Sequence, residues 1–176
     1  MLSAPFRVVL DANVLFPFTL RDTLLRAAAA GLFQLVWSEE ILEETRRNLV
    51  GLKVISEEQA VQLVAAMKEA FPEAVVSGYQ SLVPGMQNDE KDRHVAAAAV
   101  KAGAQVIVTN NLRDFQNLPE GIEAQSADRF LLNLYDLAPD GMVGLVVEVV
   151  AALSKMAPQF ARALSGHAED LEPPDS

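Results

Sequence analysis

The chain has 176 residues, of which 51% are hydrophobic and 22% are charged, and it contains no cysteine. This length fits one domain with one substantial core. The absence of cysteine excludes a disulfide framework and thiolate metal ligands, and two histidines leave little for a zinc site. Any metal would therefore be held by oxygen atoms.

The formal net charge is -10, which argues against a broad basic surface for nucleic acid. Four of the acids lie in residues 167–176, which we expect to form a disordered acidic tail. A carboxylate cluster that binds divalent cations would also count as excess acid, so the charge does not decide the partner. We find no apolar run long enough to span a bilayer and expect a cytoplasmic protein.

Apolar segments rich in β-branched residues indicate the strands. They predict strands at residues 6–10, 33–37 and 105–109, with weaker candidates at residues 74–77 and 122–125. Residues 81–87 contain Pro84 and Gly85 and predict a loop.

Capping patterns indicate the starts of the helices. Thr19 and Asp22 have the form of a capping box for a helix that runs to about residue 31, and Ser56 and Gln59 form another for a helix that runs to residue 71. The remaining predicted helices cover residues 39–50 after Ser38, residues 92–102 between Asn88 or Asp89 and Gly103, and the chain from residue 128 with breaks at Pro139 and Pro158.

Strands that alternate with helices predict a parallel sheet covered on both faces, because parallel neighbours need long crossover connections. In such folds the functional groups collect at the carboxyl ends of the strands. Asp11 follows the first strand, and Thr109, Asn110 and Asn111 follow the strand at residues 105–109. If these two strands are neighbours, both sets of polar groups face one crevice.

Asp11 is the most unusual residue of the chain, because it lies between apolar residues on both sides. Burying an ionised carboxylate costs several kcal/mol unless it is paired, hydrogen-bonded or bound to a metal. Glu44, Asp92 and Asp114 lie at comparable places near strand ends, although each, taken alone, is more typical of a solvated acid. Together these acids suit Mg²⁺ or Mn²⁺, which prefer oxygen ligands and support attack of water on phosphorus.

Four stretches resemble, in order and spacing, the motifs of PIN-domain ribonucleases, in particular VapC-like toxins of toxin-antitoxin systems. They are residues 9–14, 38–44, 89–94 and 108–115. The resemblance covers about residues 6–127 and implies a three-layer α/β/α fold with a central parallel sheet. It also implies a divalent-metal-dependent endoribonuclease that leaves 5′-phosphate and 3′-hydroxyl ends, and a small cognate antitoxin.

The resemblance further implies a metal site formed by Asp11, Glu44, Asp92 and an acid after the last core strand. It selects Glu44 over the neighbouring Glu43. The family commonly has aspartate where this chain has Asn111, so the fourth ligand would be Asp114. The supporting residues are then Asn13, Thr109, Asn111 and Asp89.

Several cationic residues lie beside these motifs. Arg21, Arg93 and Arg113 are candidate contacts for the phosphates of RNA, although each, taken alone, is more typical of a solvated or paired cation. His94 fits either a structural residue or a general base.

We expect three parts in the chain: a nuclease core at residues 1–127, a helical extension packed on it at residues 128–166, and the tail. Residues 143–153 are apolar almost all round. They predict burial against the core, with a homodimer contact as the alternative.

Two other functions stay open at this stage. A degenerate PIN-like module that binds RNA or protein without cutting is favoured by Asn111 and the acidic surface. A phosphoaspartate receiver or phosphatase also places an aspartate after an apolar strand, but it expects a lysine near the site, and no lysine here follows a strong strand.

Overall fold

A computed structural model of the protein describes residues 6–168, without the side chains of residue 157 and residues 159–168. Four strands lie in this part of the chain: β1 (Arg7–Leu10), β2 (Gln34–Val36), β3 (Val106–Val108) and β4 (Glu123–Gln125). The helices are α1 (Ala12–Leu15), α2 (Phe18–Ala29), α3 (Glu39–Gly51), α4 (Glu57–Ala70), α5 (Arg93–Ala102), α6 (Ala127–Leu137) and α7 (Pro139–Ala168). Short 3₁₀ turns lie at Gln80–Gly85, Glu90–Asp92 and Leu112–Phe115.

The strands form one parallel sheet in the order β2-β1-β3-β4. The two central strands are neighbours, with Val9 opposite Ile107 and Leu10 opposite Val108. Their carboxyl ends therefore meet at one edge of the sheet, which is the condition under which Asp11 and the polar residues after β3 face one crevice. Helices flank the sheet, and the predicted α/β class with a central parallel sheet is confirmed.

The core is centred on β1 and β3, whose residues Val9, Leu10 and Ile107 are fully buried. Helices α2, α3, α5 and α6 contribute to the same buried cluster, for example through Leu24 and Phe130. Because both faces of the central strands are covered, these strands are apolar without alternation. Asp11 follows directly on this buried run.

Two predicted helix starts are confirmed in detail. The Ser38 hydroxyl accepts a hydrogen bond of 3.1 Å from the Ile41 amide, which caps α3. Ser56 and Gln59 form both hydrogen bonds of a capping box at the start of α4. Both caps satisfy amide groups that have no partner inside the helix.

The predicted capping box at Thr19 and Asp22 is wrong. Helix α2 begins two residues earlier, with Pro17 instead of Thr19 at the N-cap position, and no side chain caps it. The Asp22 carboxylate instead binds Arg26 at 2.9 Å, one helical turn further on. A separate one-turn helix, α1, which the sequence pattern did not indicate, precedes α2.

Three other local predictions differ from the structure. The strand at residues 74–77 is reduced to a single bridge between Val75 and Trp37, since Pro72 and Gly78 bound the segment closely. The loop at residues 81–87 contains a 3₁₀ turn. Helix α7 continues through Pro158, because a proline removes one backbone hydrogen bond and a helix can pass it with a kink.

Helices α6 and α7 form the C-terminal part of the described chain. Phe130 and Leu134 of α6, with Met142 and Leu145 of α7, belong to the main core cluster. The predicted burial of residues 143–153 is wrong for one face of α7, because only some of its apolar positions face α2 and α6. The exposed apolar side chains of this run are Val143, Val146, Val147, Val150 and Leu153.

The division into a core at residues 1–127 and an extension at residues 128–166 stays a prediction. Of the predicted tail at residues 167–176, the first two residues belong to α7 and residues 169–176 lie outside the described residues. Within residues 6–168, no helix combines the length and the apolar character needed to cross a bilayer.

Candidate metal centre

Asp11 lies where β1 ends, and its side chain is only 4% exposed. Its Oδ1 accepts a hydrogen bond of 2.8 Å from the Ala12 amide, which caps α1. Its Oδ2 accepts hydrogen bonds from Thr109 Oγ1 at 2.9 Å and Asn13 Nδ2 at 3.0 Å. These donors offset part of the cost of burying the carboxylate.

Burial nevertheless raises the pKa of Asp11 above its ordinary value, and the charge of Glu44 raises it further. The Thr109 hydroxyl and the Ala12 amide act in the opposite direction, because they bind the charged form. The carboxylate thus lies in a site where a positive charge would be stabilising.

The residues around Asp11 form one network across the two central strands. Asn13 Nδ2 also donates to Thr109 Oγ1 at 2.9 Å, and the Asn110 amide donates to Asn13 Oδ1 at 3.0 Å. The Asn111 amide donates to Thr109 Oγ1 at 3.1 Å. The predicted supporting residues Asn13 and Thr109 therefore fix the orientation of the Asp11 side chain.

A second group of acids lies on two 3₁₀ turns. Carboxylate oxygens of Asp89, Asp92 and Asp114 all lie within 4.8 Å of one another. The Asp89 amide donates to the Asp114 carbonyl at 3.0 Å, and this hydrogen bond joins the two turns. We call these three residues the turn cluster.

Among the three acids of the turn cluster, Asp92 is the one whose charged form is most disfavoured by its surroundings. Burial raises the pKa of Asp92 to about 6, and the negative charges of Asp11 and Asp114 contribute to the shift. Its Oδ2 is buried and has no hydrogen-bond partner. A buried carboxylate oxygen without a donor is the kind of atom that a cation would satisfy.

Asp114 differs because a lysine neutralises it. Lys91 Nζ lies 2.7 Å from Asp114 Oδ2 and lowers the pKa of that carboxyl group. The Asn111 side chain also donates to Asp114 Oδ2. Asn111, which stands where the family commonly has aspartate, thus holds the acid that the resemblance implies as the fourth ligand.

Glu44 lies on α3 and approaches the site from the other side. Its Oε1 lies 3.4 Å from His94 Nε2, and its side chain is 29% exposed. The neighbouring Glu43 instead binds Arg46 at 2.6 Å and is 49% exposed. The structure therefore gives the two adjacent glutamates different partners, which the helical pattern alone could not do.

The four predicted ligands do not form one compact group. Asp92 and Asp114 belong to the turn cluster together with Asp89, which the sequence analysis placed among the supporting residues. Asp11 and Glu44 interact with each other electrostatically, and the charge of Asp11 also raises the pKa of Asp92. The charge of Asp11 thus interacts with Glu44 and with Asp92 of the turn cluster.

The candidate substrate contacts occupy three different environments. Arg21 is buried, and its Nη1 donates to the carbonyls of Leu15 and Phe16 at 2.9 and 3.0 Å. Arg93 is partly exposed, and its Nε donates to the Asn88 carbonyl at 3.1 Å. Arg113 is exposed. The burial of Arg21 favours its structural alternative, whereas contact of Arg93 or Arg113 with RNA stays a prediction.

Sequence reasoning missed several residues of the site. Lys91 lies between two acids in the sequence, where a charged residue is usually solvated. Glu40 and Tyr79 meet through a hydrogen bond of 3.0 Å from the Tyr79 hydroxyl, across 39 residues of sequence. No local pattern could have indicated this contact.

The donor set fits a hard divalent cation. The side chains offer carboxylate and amide oxygens, and the buried Asp92 Oδ2 has no donor of its own. Mg²⁺ and Mn²⁺ prefer such oxygens, whereas softer metals prefer sulfur or imidazole. The residues present therefore suit the metal that the resemblance implies.

The PIN domain family model matches residues 7–113. Over 105 residues the chain is 39% identical to ribonuclease VapC50 of Mycobacterium tuberculosis (strain ATCC 25618 / H37Rv), a match that covers 50% of this chain and 62% of that relative. The chain thus spans less than two thirds of the relative's length.

The fold is also similar to a chain in the structure of VapBC-1 from nontypeable Haemophilus influenzae. The TM-score is 0.50 at 19% identity, and the match covers 69% of this chain and 98% of that chain. At this identity the likeness concerns the fold. The ordered motifs, the parallel sheet and the family match agree, and the chain belongs to the PIN-domain family.

Proposed function

We propose that the protein is a divalent-metal-dependent endoribonuclease that hydrolyses phosphodiester bonds of RNA. The observation that carries the proposal is the buried Asp11 carboxylate at the carboxyl edge of the sheet, whose charge raises the pKa of Asp92, a residue with a buried Oδ2 that has no hydrogen-bond partner. Membership of the PIN-domain family supports this function, as does the similarity to a relative named as a ribonuclease.

Mg²⁺ or Mn²⁺ would be held by Asp11, Glu44, Asp92 and Asp114, with Asp89 next to the last two. When bound, such an ion supplies a Lewis acid that polarises the phosphodiester and makes water a better nucleophile at neutral pH.

The chain's own residues position these groups. Thr109 and Asn13 hold Asp11 Oδ2 in one orientation, so little reorganisation is needed when charge develops in the transition state. Lys91 and Asn111 hold Asp114. Arg93 and Arg113 lie beside the acids and would bind the flanking phosphates of RNA.

The test uses purified full-length protein, labelled RNA and Mn²⁺, with and without EDTA. Asp11→Asn is the test variant, and Asp140→Asn, an exposed acid at the start of α7, is the matched control. We expect cleavage by the wild type and by the control, and its loss with EDTA or in Asp11→Asn. Cleavage that survives chelation or the Asp11 substitution would contradict the proposal.

The alternative is a PIN domain that binds RNA or protein without cutting. The ion pair between Lys91 and Asp114 favours it, because the lysine reduces the negative charge available to a metal. RNA binding without cleavage at any Mn²⁺ concentration would support this alternative. The phosphoaspartate alternative has lost its basis, since the chain belongs to the PIN-domain family.

We also propose that the chain is the toxin of a toxin-antitoxin pair, with a small antitoxin as its cognate partner and the cytoplasm as its location. The similarity to a VapC-named relative supports this role. Expression of the chain alone should arrest growth, and co-expression with the product of a neighbouring reading frame should relieve the arrest. Toxicity that no neighbouring product relieves would contradict the pairing.

A homodimer is the remaining part of the partner proposal. The exposed valines of α7 support it, because a row of apolar side chains on one helix face is typical of an interface. Light scattering of the purified chain measures the mass directly. A monomer at high micromolar concentration would contradict the dimer and leave the nuclease proposal unaffected.

A further inference from the structure

His94 is a buried imidazole that the proposed mechanism does not use. Its side chain is 7% exposed, and its two ring nitrogens face two carboxylates. Nε2 lies 3.4 Å from Glu44 Oε1, and Nδ1 lies 3.6 Å from Glu40 Oε2. The ring thus lies between a proposed metal ligand and a second glutamate one helical turn earlier on α3.

The far side of this arrangement is fixed as well. The Tyr79 hydroxyl donates to Glu40 Oε2 at 3.0 Å, and the Tyr79 side chain is buried. His94 on α5 therefore contacts Glu44 through one ring nitrogen and Glu40 on α3 through the other. Tyr79, just before the turn at Gln80–Gly85, in turn holds Glu40. A histidine exposed to solvent would not be held by successive contacts of this kind.

The position of His94 on α5 also matters. Asp92 is the N-cap of α5, and His94 is the second residue of that helix. The start of α5 thus carries both Asp92, a proposed ligand, and the His94 ring, which contacts the proposed ligand Glu44 on α3. Any shift of α3 against α5 would change the place of Glu44 relative to Asp92.

We propose that His94 is a positioning residue, which holds the Glu44 carboxylate in place for the divalent cation. Glu40, whose carboxylate is held by the Tyr79 hydroxyl, keeps the imidazole in this orientation from its other ring nitrogen. This inference rests on the proposed function. A glutamate has three side-chain torsions, and Glu44 is 29% exposed, so without the imidazole its carboxylate would sample several orientations. Residues that orient metal ligands in this way typically change metal affinity 10- to 100-fold when removed.

Both ring nitrogens of His94 are buried, make no other hydrogen bond within the described residues, and face the carboxylates of Glu44 and Glu40. Burial lowers the pKa of His94, but the nearby carboxylates of Glu44 and Glu40, together with the charge of Asp11, outweigh it and raise the pKa overall. The imidazole is therefore held by acids on more than one side. Glu43, by contrast, is exposed and held by Arg46, away from the ring.

The experiment measures Mn²⁺ binding to the full chain by electron paramagnetic resonance or calorimetry, alongside RNA cleavage. His94→Ala should raise the Mn²⁺ Kd by about 10- to 100-fold. His94→Gln keeps an amide donor towards Glu44 and should recover most of the affinity. Tyr79→Phe removes only the contact behind Glu40 and should have a smaller effect, of about two- to fivefold.

The kinetic readout separates positioning from general damage to the fold. With His94→Ala, saturating Mn²⁺ should restore most of kcat while the KM for RNA stays unchanged. Glu43→Gln is the matched control and should retain the wild-type Mn²⁺ Kd. Thermal melts of all variants check folding, and His94→Gln and Tyr79→Phe carry the test if His94→Ala does not fold.

The outcomes distinguish this inference from the proposed function. Wild-type Mn²⁺ affinity in all three His94 and Tyr79 variants would overturn the positioning role while leaving the nuclease intact. A wild-type protein that binds Mn²⁺ but cuts no RNA would overturn the proposed function, and the Kd series would still decide the role of His94. Loss of affinity in His94→Gln equal to that in His94→Ala would also contradict the inference, because the donor would then have no effect.

Discussion

The two halves of the acidic site are held by different means. Asp11 is fixed at a strand end by three donors, and its position depends on the sheet. The turn cluster lies on two 3₁₀ turns, and its charge is relieved by the exposed Lys91, while Asp92 keeps an oxygen without a donor. The sheet thus supplies a rigid ligand, whereas the turns supply negative charge that Lys91 neutralises only in part.

The largest effect is expected from breaking the rigid half. Asp11→Asn keeps the helix cap, because asparagine caps helices as well as aspartate, but it removes the negative charge. Losing several kcal/mol of transition-state stabilisation corresponds to a decrease in cleavage rate on the order of 10³-fold. Single-turnover cleavage of labelled RNA measures it, and an unchanged thermal melt would show that the fold is intact.

A second variant tests whether the network around Asp11 matters separately from its charge. Thr109→Val removes the hydroxyl that donates to Asp11 and should reduce metal affinity or activity about 10- to 100-fold. It should also destabilise the fold by about 1–3 kcal/mol, since a buried acceptor loses a donor. Urea denaturation gives the stability, and Thr109→Ser, which keeps the hydroxyl, is the control. Equal losses in both variants would point to packing instead.

The turn cluster should respond in the opposite direction when its counterion is removed. Lys91→Gln frees Asp114 from its ion pair, so Mn²⁺ should bind about two- to fivefold more tightly, a modest change because the lysine is exposed. Calorimetry at constant ionic strength measures the Kd, and Lys101→Gln on α5 serves as the control. Weaker Mn²⁺ binding in Lys91→Gln would instead make the lysine a necessary part of the site.

The smallest effect concerns stability against pH in EDTA. The pKa of Asp92 is about 6 in the folded protein against an ordinary 3.8, so the folded state binds this proton more tightly than the unfolded chain. The group therefore destabilises the fold above pH 6, and this penalty declines as the pH falls from about 6 towards 3.8.

Asp92→Asn removes that penalty. At pH 7.5 the variant should melt about 2–4 °C above the wild type, the shift that ~1 kcal/mol gives in a chain of this size once solvent screening is allowed for. The difference should vanish near pH 4. Added Mn²⁺ should reverse the order at pH 7.5, since only the wild type keeps the carboxylate. A difference that is independent of pH would contradict the titration of Asp92.

Local sequence patterns predicted the framework of the site well. Apolar runs that stop at polar residues placed Asp11 and Thr109 at the ends of two strands, and these residues are joined by a hydrogen bond because the two strands are neighbours. The serine caps of α3 and α4 were also readable, because a cap is a contact between residues three apart. The two caps depend only on neighbours in the sequence, whereas the bond between Asp11 and Thr109 also needs β1 and β3 to be adjacent.

The rest depends on contacts that no short window contains. Lys91 reaches Asp114 only because two turns meet, and His94 reaches Glu44 only because α5 packs near α3. The capping box predicted at Thr19 does not form, because the Asp22 carboxylate binds Arg26 on its own helix instead of the helix start. The apolar run in α7 predicted burial, but of the helices that the structure describes only α2 and α6 pack closely against α7, so one of its faces stays exposed.

Helix α1 has only four residues, and a helix of that length does not persist in water by itself. It exists here because Asp11 closes its first turn and Arg21, from the next helix, closes its last carbonyls. The bend of the chain directly after Asp11 is therefore maintained by an arginine that makes no contact with the acids. Anyone redesigning the surface charge of this protein, or transplanting its acidic site to another scaffold, would have to carry Arg21 along as a structural part.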